Sequence, residues 1–215
     1  MGKAKIFSAA GRQFAGPMDL SGAPNLPSHW ITYFAVADVD EACKKIQRLG
    51  GKVCYDPFDM PTIGRTAIVE DPVGTVFHVF TPENTSADVN VMGGEPGQPC
   101  WLELLVDDPV GVSKFYKEVL GWTLEEQNIG SDETFIAGKN GDQMVAGILQ
   151  KTEDSPKTKF WLPYFMVHDI EQAASAAVEL GGEQLSPTMT ISGIGSFSLF
   201  QDPSGALSYL FQNET

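Results

Sequence analysis

An ionisable side chain set within an otherwise apolar strand is the first place to look for chemistry, and Glu103 in Trp101-Leu102-Glu103-Leu104-Leu105-Val106 is such a residue. Period-two alternation puts Leu102, Leu104 and Val106 on one face and Trp101, Glu103 and Leu105 on the other. A carboxylate there is costly unless it is paired, solvated or reactive, which makes Glu103 a candidate catalytic acid or base. Its rival readings are a structural salt bridge and a solvated rim position. His78 is the second candidate, because an imidazole titrates near neutrality and can serve as base or hydrogen-bonding anchor. A histidine that merely fills space at the end of a sheet is the alternative. The same alternation groups Tyr164 with Leu162 and Met166, and Tyr33 with Ile31 and Ala35. Glu103 beside Tyr164 would give a mostly apolar pocket with an acid and a phenol at its base, the composition of a small-molecule site. Trp101, Tyr33, Tyr164 and Tyr209 are therefore the candidate ligand-binding residues. His29 and His168 are expected at the surface, and Trp122, Phe135, Trp161 and Phe165 in the cores.

These residues are positioned by a repeat. Trp30, Tyr33, Phe34, Val36, Asp38, Ala42, Leu49, Gly50, Gly51, Ile63, Gly64, Asp71, Pro72, Gly74 and Phe80 each match an identical residue 131 positions later, without a gap. That is 15 identities between windows 30–80 and 161–211, far above the roughly one in sixteen expected from average composition. Each copy runs from an apolar strand to a capping aspartate, Asp38 or Asp169. An apolar helical stripe follows, and Gly50-Gly51 or Gly181-Gly182 stops it. Next come a short strand, a Gly-containing turn, a second strand (65–70; 196–201), an Asp-Pro-x-Gly turn and a last strand (75–81; 206–212). The unit is β-α-β-β-β.

A weaker copy lies between them. Trp101–Val106 is its strand, Asp108-Pro109 caps its helix, and Val112, Phe115, Tyr116, Val119 and Leu120 form the buried stripe before Gly121. Residues 5–18 read as the tail of a fourth copy. The expected organisation is an N-terminal domain over 1–80 with an incomplete first module, a linker over 81–99 and a C-terminal domain over 100–215. Subtracting 131 from Trp101 gives −30, so one opening strand and helix are expected to be absent, leaving apolar surface and a free sheet edge: either the chain is a shortened version of a longer protein or another subunit covers the gap. A homo-oligomer follows from that reading.

Composition narrows the partners. The chain has 215 residues, 28 Asp+Glu against 14 Lys+Arg and a net charge of −14. Such a field repels polyanions, and no basic patch overrides it, so nucleic acid and anionic membrane are excluded as expected partners. The longest uncharged apolar runs, near Trp30–Ala37 and Phe160–Val167, have strand length rather than membrane-helix length. The first residues, Met1 to Phe7, carry no secretory pattern, and Cys43, Cys54 and Cys100 form no CxxC pair, so a cytoplasmic protein is expected. Nucleophile elbows, phosphate loops and dinucleotide fingerprints are missing from the sequence.

The ordered set of motifs resembles the glyoxalase/bleomycin-resistance/dioxygenase group, the vicinal oxygen chelate superfamily. The carrying residues are Tyr33-Phe34-Ala35-Val36-Ala37-Asp38 with Leu49-Gly50-Gly51, then Lys114 to Trp122, then Asp71-Pro72-Val73-Gly74 and Asp202-Pro203-Ser204-Gly205. The resemblance implies an α+β fold of tandem βαβββ modules forming curved-sheet domains that enclose a cleft, with the first module incomplete here. It implies a small-molecule ligand and, in metal-dependent members, a His or Glu early in the first strand of a module and a Glu near the end of the last. The matching first-strand positions are Ile31, Trp101 and Leu162, which cannot ligate a metal, and the matching last-strand positions are His78 and Tyr209. The expectation is a glyoxalase-type protein that binds a small, partly apolar metabolite without a catalytic metal or other cofactor. An active lyase, isomerase, hydroxylase or dioxygenase of the same family, using Glu103 as base with or without a divalent ion completed from a neighbouring subunit, is the alternative.

Overall fold

The computed structural model describes residues 5–23, 25–84, 90, 92–127 and 134–214. They belong to two compact units, one of Met1–Trp30, Val91–Trp101 and Leu162–Thr215, the other of Ile31–Asn90 and Leu102–Trp161. Each unit draws on segments from both sides of the 81–99 stretch.

In the first unit β1 (Phe7–Ala9) and β2 (Arg12–Ala15) form an antiparallel hairpin. The second unit opens with β3 (Tyr33–Ala35), α1 (Val39–Arg48), β4 (Lys52–Met60), β5 (Gly64–Glu70) and β6 (Val76–Pro82). Their strands order β3-β6-β5-β4, with β3 parallel to β6 and the other pairs antiparallel. The helix begins where the sequence provides an acceptor: Asp38 is extended and its carboxylate accepts from Glu41 N at 3.0 Å. Val39, Ala42, Cys43 and Ile46 form its buried stripe. The helix ends at Leu49, and Gly50 follows with a left-handed φ of 87°. Gly51 is needed for space: a Cβ there would lie 2.6 Å from Glu70 O and 2.8 Å from Ile46 Cγ2.

The third copy continues with β7 (Pro99–Val106), whose first residues belong to the first unit, then α2 (Pro109–Leu120), β8 (Thr123–Gln127), β9 (Phe135–Asn140) and β10 (Gln143–Gln150). Asp108 caps α2 by accepting from Gly111 N at 2.9 Å, Pro109 occupies its first turn and Gly121 closes it at φ 74°. The core of this unit is aromatic. Phe34, Phe77, Phe115, Tyr116, Trp122 and Trp161 are all buried and meet mostly edge to face, for example Phe34 on Trp122 at 5.5 Å and Tyr116 on Trp161 at 5.1 Å. A polar chain crosses it: Trp161 Nε1 donates to Tyr116 Oη at 3.1 Å, and Tyr116 donates to Asp71 Oδ2 at 2.9 Å. The other Asp71 oxygen accepts from Val73 N and Thr75 N. Burial raises the pKa of this carboxyl against the hydrogen bonds that lower it.

The first unit is completed by β11 (Leu162–Met166), α3 (Ile170–Glu179), β12 (Glu183–Gln184), β13 (Met189–Ile191), β14 (Gly195–Gln201) and β15 (Leu207–Asn213). Asp169 repeats the cap of Asp38, accepting from Gln172 N at 2.9 Å. The helix nevertheless buries only Ile170 and Ala174, and Val178 and Leu180 are 51% and 82% exposed. In this unit Phe165 packs against Trp30 at 5.1 Å and Phe14 at 5.9 Å.

The α+β architecture and the repeated modules match the sequence reading, with local differences. The expected strand from Trp30 is shortened to Tyr33–Ala35 because the Trp30 ring is held by Phe7 and Phe165 in the first unit. The segment after α1 is a nine-residue edge strand rather than a short one. It tolerates Pro57, which has no N–H to donate, because its register shifts between Val53 and Tyr55 and again between Tyr55 and Phe58. His29 is half-buried rather than a surface residue, its Nδ1 lying 2.7 Å from Pro27 O. Among the described residues no helix is long and apolar enough to cross a membrane.

Candidate ligand-binding site

Each unit carries one of the two strong copies, and each copy places a ring pair at the same register. In the second unit β3 lies beside β6 with Tyr33 opposite His78, and the rings meet at 4.2 Å, tilted by 31°. In the first unit β11 lies beside β15 with Tyr164 opposite Tyr209, and those rings stack at the same 4.2 Å, 18° from parallel. An aromatic flanks each pair on the last strand: Phe80 is 6.2 Å from Tyr33, and Phe211 is 6.4 Å from Tyr164. Repeat-related residues thus build one motif twice. The Tyr33–His78 pair lies on the sheet face opposite the helix, because Phe34, Val79, Ala67 and Val69 take the alternate positions and are buried in the core.

The two faces differ in polarity. Opposite Phe80, β5 supplies Thr66, fully buried, whose hydroxyl donates to Val79 O at 2.9 Å and lies 3.1 Å from His78 Nδ1. The equivalent position on β14 is Phe197, 6.1 Å from the Tyr209 ring. Exposure differs as well: Tyr33 is 40% exposed, whereas Tyr164 and Tyr209 are buried. Register extends the second unit's face to Tyr55 and Phe58 on β4, opposite Ile68 and Thr66, with their rings 5.2 Å apart. Burial raises the pKa of the Tyr33 phenol.

Trp101, Tyr164 and Tyr209 fall in the first unit, Tyr33, His78 and Glu103 in the second. Trp101 is half-buried. Glu103 is a buried carboxylate on β7, and in the parallel ladder to β10 it stands opposite Gly147, which adds no side chain to that face. Leu104 and Val106 point into the core, as the alternation requires. Next to Tyr164, Cys100 donates from Sγ to Tyr164 O at 3.4 Å. Burial pushes its thiol pKa up to about 12, so it stays protonated and is no nucleophile.

Few of the residues at the positions matching the family's metal ligands carry a donor. Ile31, Trp101 and Leu162 occupy the first-strand positions, and His78 and Tyr209 stand at the last-strand ones. Among the described residues no three His, Cys, Asp or Glu side chains are grouped to hold a metal, whereas open catalytic sites need about three protein ligands. Sequence reasoning missed Thr66, Tyr55 and Phe58. Thr66 was accessible from its alternation with Ala67 in β5. Tyr55 and Phe58 were not, since the bulged strand breaks the period that assigns faces.

The family model described as Glyoxalase/Bleomycin resistance protein/Dioxygenase superfamily matches residues 8–79 and 100–208. A Mycobacterium tuberculosis protein named as a candidate glyoxylase, CFP32, is 30% identical over 191 residues, covering 89% of this chain and 72% of its own length. The anthracycline biosynthesis protein DnrV of Streptomyces peucetius is 32% identical over 158 residues, 73% of this chain and 56% of that protein. Among solved structures, the Mn(II)-bound glyoxalase of Novosphingobium aromaticivorans aligns with a TM-score of 0.55 at 17% identity, over 84% of this chain and 61% of that one. The 2,2',3-trihydroxybiphenyl 1,2-dioxygenase of Sphingomonas wittichii aligns with a TM-score of 0.58 at 14% identity, over 87% of this chain and 71% of that one. At these identities the structures speak for the fold alone. The chain belongs to the glyoxalase/bleomycin resistance protein/dioxygenase superfamily.

Proposed function

We propose that this chain binds a small, partly apolar metabolite on the aromatic face of its C-terminal half, without a catalytic metal. The observation that carries the reading is the Tyr164–Tyr209 stack with Phe197 and Phe211 around it. It groups four aromatic rings and two phenol groups in one place, a composition suited to a planar ligand. The relatives named for anthracycline biosynthesis agree with an aromatic ligand. The donor set at the family's ligand positions supports binding that does not run through an ion. A panel of small aromatic metabolites should raise the melting temperature of chelator-treated protein, because a ligand held only by the native state stabilises it. Replacing Tyr164 or Tyr209 by Leu should remove the rise. A rise that appears only after a divalent ion is restored would overturn the metal-free reading.

Glu103 favours a second reading, an enzyme of the same superfamily that moves a proton through this carboxylate. The observation behind it is a buried carboxylate on β7 opposite Gly147, which adds no side chain to that face. Glu103→Gln should then abolish turnover while leaving ligand-induced stabilisation in place. Loss of both together would mark a structural role. As to assembly, the exposed Val178 and Leu180 on and after α3 support a homo-oligomer that covers them, the chain's acidic charge supports a protein working away from nucleic acid and anionic membranes, and its free Cys43, Cys54 and Cys100 agree with the cytoplasm.

A further inference from the structure

Beside α3 the first unit carries a mostly apolar groove of about 210 Å³, lined in part by Ala177, Leu180, Phe200, Asp202, Ser208 and Leu210. The residues 131 positions earlier are Ile46, Leu49, Val69, Asp71, Phe77 and Val79 of the second unit, and there α2 covers them. Phe115 lies 6.4 Å from the Phe77 ring and 3.2 Å from where a Cβ on Gly51 would stand. Tyr116 lies 5.6 Å from Phe77, and its hydroxyl accepts from Trp161 Nε1 and donates to Asp71 Oδ2. Among the described residues of the first unit the one helix is α3, which repeats α1 rather than α2. The atoms nearest a Cβ on Gly182 are accordingly backbone atoms of Ala177 and Gln201, and Leu180 is left 82% exposed. Both ends of the polar chain are nevertheless in place. Trp30 packs on Phe165 at 5.1 Å as Trp161 packs on Phe34 at 5.5 Å, and Asp202 uses Oδ1 alone for its own turn, where Asp71 also gives Oδ2 to Tyr116.

We infer that this groove is the docking site for an amphipathic helix of another protein, one that presents a Phe-Tyr pair flanked by lysines in the manner of Lys114-Phe115-Tyr116-Lys117. Its tyrosine hydroxyl accepts from the Trp30 indole N–H and donates to Asp202, as Tyr116 does between Trp161 and Asp71. Charge favours such a helix: Glu179 and Glu183 are exposed next to the lining residues Leu180 and Gly182, and with Asp202 they attract flanking lysines. A second copy of this chain has no exposed helix face of that kind to offer. Helix α1 carries no aromatic residue, α3 carries neither an aromatic nor a cation, and Phe115 and Tyr116 of α2 are buried in their own unit. Val178 lies outside the lining, so self-association through it leaves the groove to the partner.

The test uses the whole chain and, as probe, a fluorescein-labelled peptide of residues 107–122, which carries the aromatic pair and both lysines. Fluorescence polarisation should show saturable binding. A Tyr116→Phe peptide, which keeps the ring and loses the hydroxyl, should bind about tenfold more weakly. On the chain, Asp202→Asn keeps the Oδ1 acceptor of the turn and removes the second one. It should weaken the parent peptide by about the same factor and leave the Tyr116→Phe peptide unchanged, the coupling expected of one shared hydrogen bond. Leu180→Lys on the chain, and Lys114→Glu with Lys117→Glu on the peptide, should each abolish binding without moving the chain's melting temperature. No binding by the parent peptide, or binding indifferent to Asp202→Asn and Leu180→Lys, would overturn the inference. Sedimentation of the chain alone tests the rival occupant: a multimer that Asp202→Asn dissociates would put a second copy in the groove and overturn the assignment to another protein, and a state unchanged by that substitution supports it.

Discussion

The two copies begin from the same residues and end in different environments. Asp71 and Asp202 each turn their chain by accepting backbone N–H groups with Oδ1, at Val73 and Thr75 in one case and Ser204 and Ala206 in the other. Asp71 is 1% exposed and its second oxygen takes the Tyr116 hydroxyl, whereas Asp202 is half-buried and its hydrogen bonds stay within its own turn. Ile46 is fully buried, and the residue at its repeat position, Ala177, is only half-buried. The motif sets the local geometry, and what packs against the helix face sets how much that geometry contributes to stability. On the opposite face the order reverses: the first unit's ring pair is buried and the second unit's is partly open.

Four pairs of substitutions sharpen or break this contrast. The largest effect is expected at the stacked tyrosines. Tyr164→Ala removes a buried ring and should cost about 3–4 kcal/mol, while Tyr33→Ala removes a partly exposed one and should cost about 1 kcal/mol. Urea denaturation would check both, and equal losses would mean that the faces are equally packed. Next, Asp71→Ala strands the buried Tyr116 hydroxyl and the Thr75 amide and should cost about 3 kcal/mol, against about 1 kcal/mol for Asp202→Ala. If Asp202→Ala were the worse of the two, the asymmetry drawn from Tyr116 would be wrong. Gly51→Ala should cost about 2 kcal/mol because its Cβ would sit 2.6 Å from Glu70 O, and Gly182→Ala should cost less because its nearest neighbour is at 3.0 Å. The smallest contrast is at the caps: Asp38→Ala and Asp169→Ala should each lose about 1 kcal/mol, since both make the same bond to the third amide. A difference of more than that between them would show the repeat to be less exact than its geometry.

The sign of the acid response follows from Asp71. Its folded-state pKa lies above the ordinary 3.8, so the folded chain binds that proton more tightly than the unfolded chain does. The stabilising share from this proton is complete below about 3.8 and is lost as pH rises through the raised value. In Asp71→Ala that slope should vanish from a stability curve measured across acid pH. A curve of unchanged steepness would assign the acid response to other carboxylates.

Much of the fold was legible because it is written twice. Capping aspartates at 38 and 169, glycine stops at 50 and 181 and the Asp-Pro-x-Gly turns lie at a constant offset, and each acts through its own backbone neighbours, so each could be read without knowing the rest. The alternation in β7 was equally local and put Leu104 in the core and Glu103 on the other face. What could not be read depends on distant packing or on broken periodicity. Trp30 leaves its strand because Phe7 and Phe165 hold its ring, and β4 hides Tyr55 and Phe58 behind two bulges. The site was partly legible: Tyr33, His78, Tyr164 and Tyr209 are ring pairs in register, but the Thr66 hydroxyl that meets His78 comes from a neighbouring strand, and a single-strand pattern does not reveal a cross-strand partner.

The account turns most directly on a titration of chelator-treated, tyrosine-labelled protein with a flat aromatic probe, followed through the ring signals of Tyr164 and Tyr209. Saturable shifts of both, unchanged when a divalent ion is added, are the result expected of an aromatic sheet face that binds without metal. Shifts that appear only with the ion would contradict it, as would ring signals that stay in place while the probe binds elsewhere.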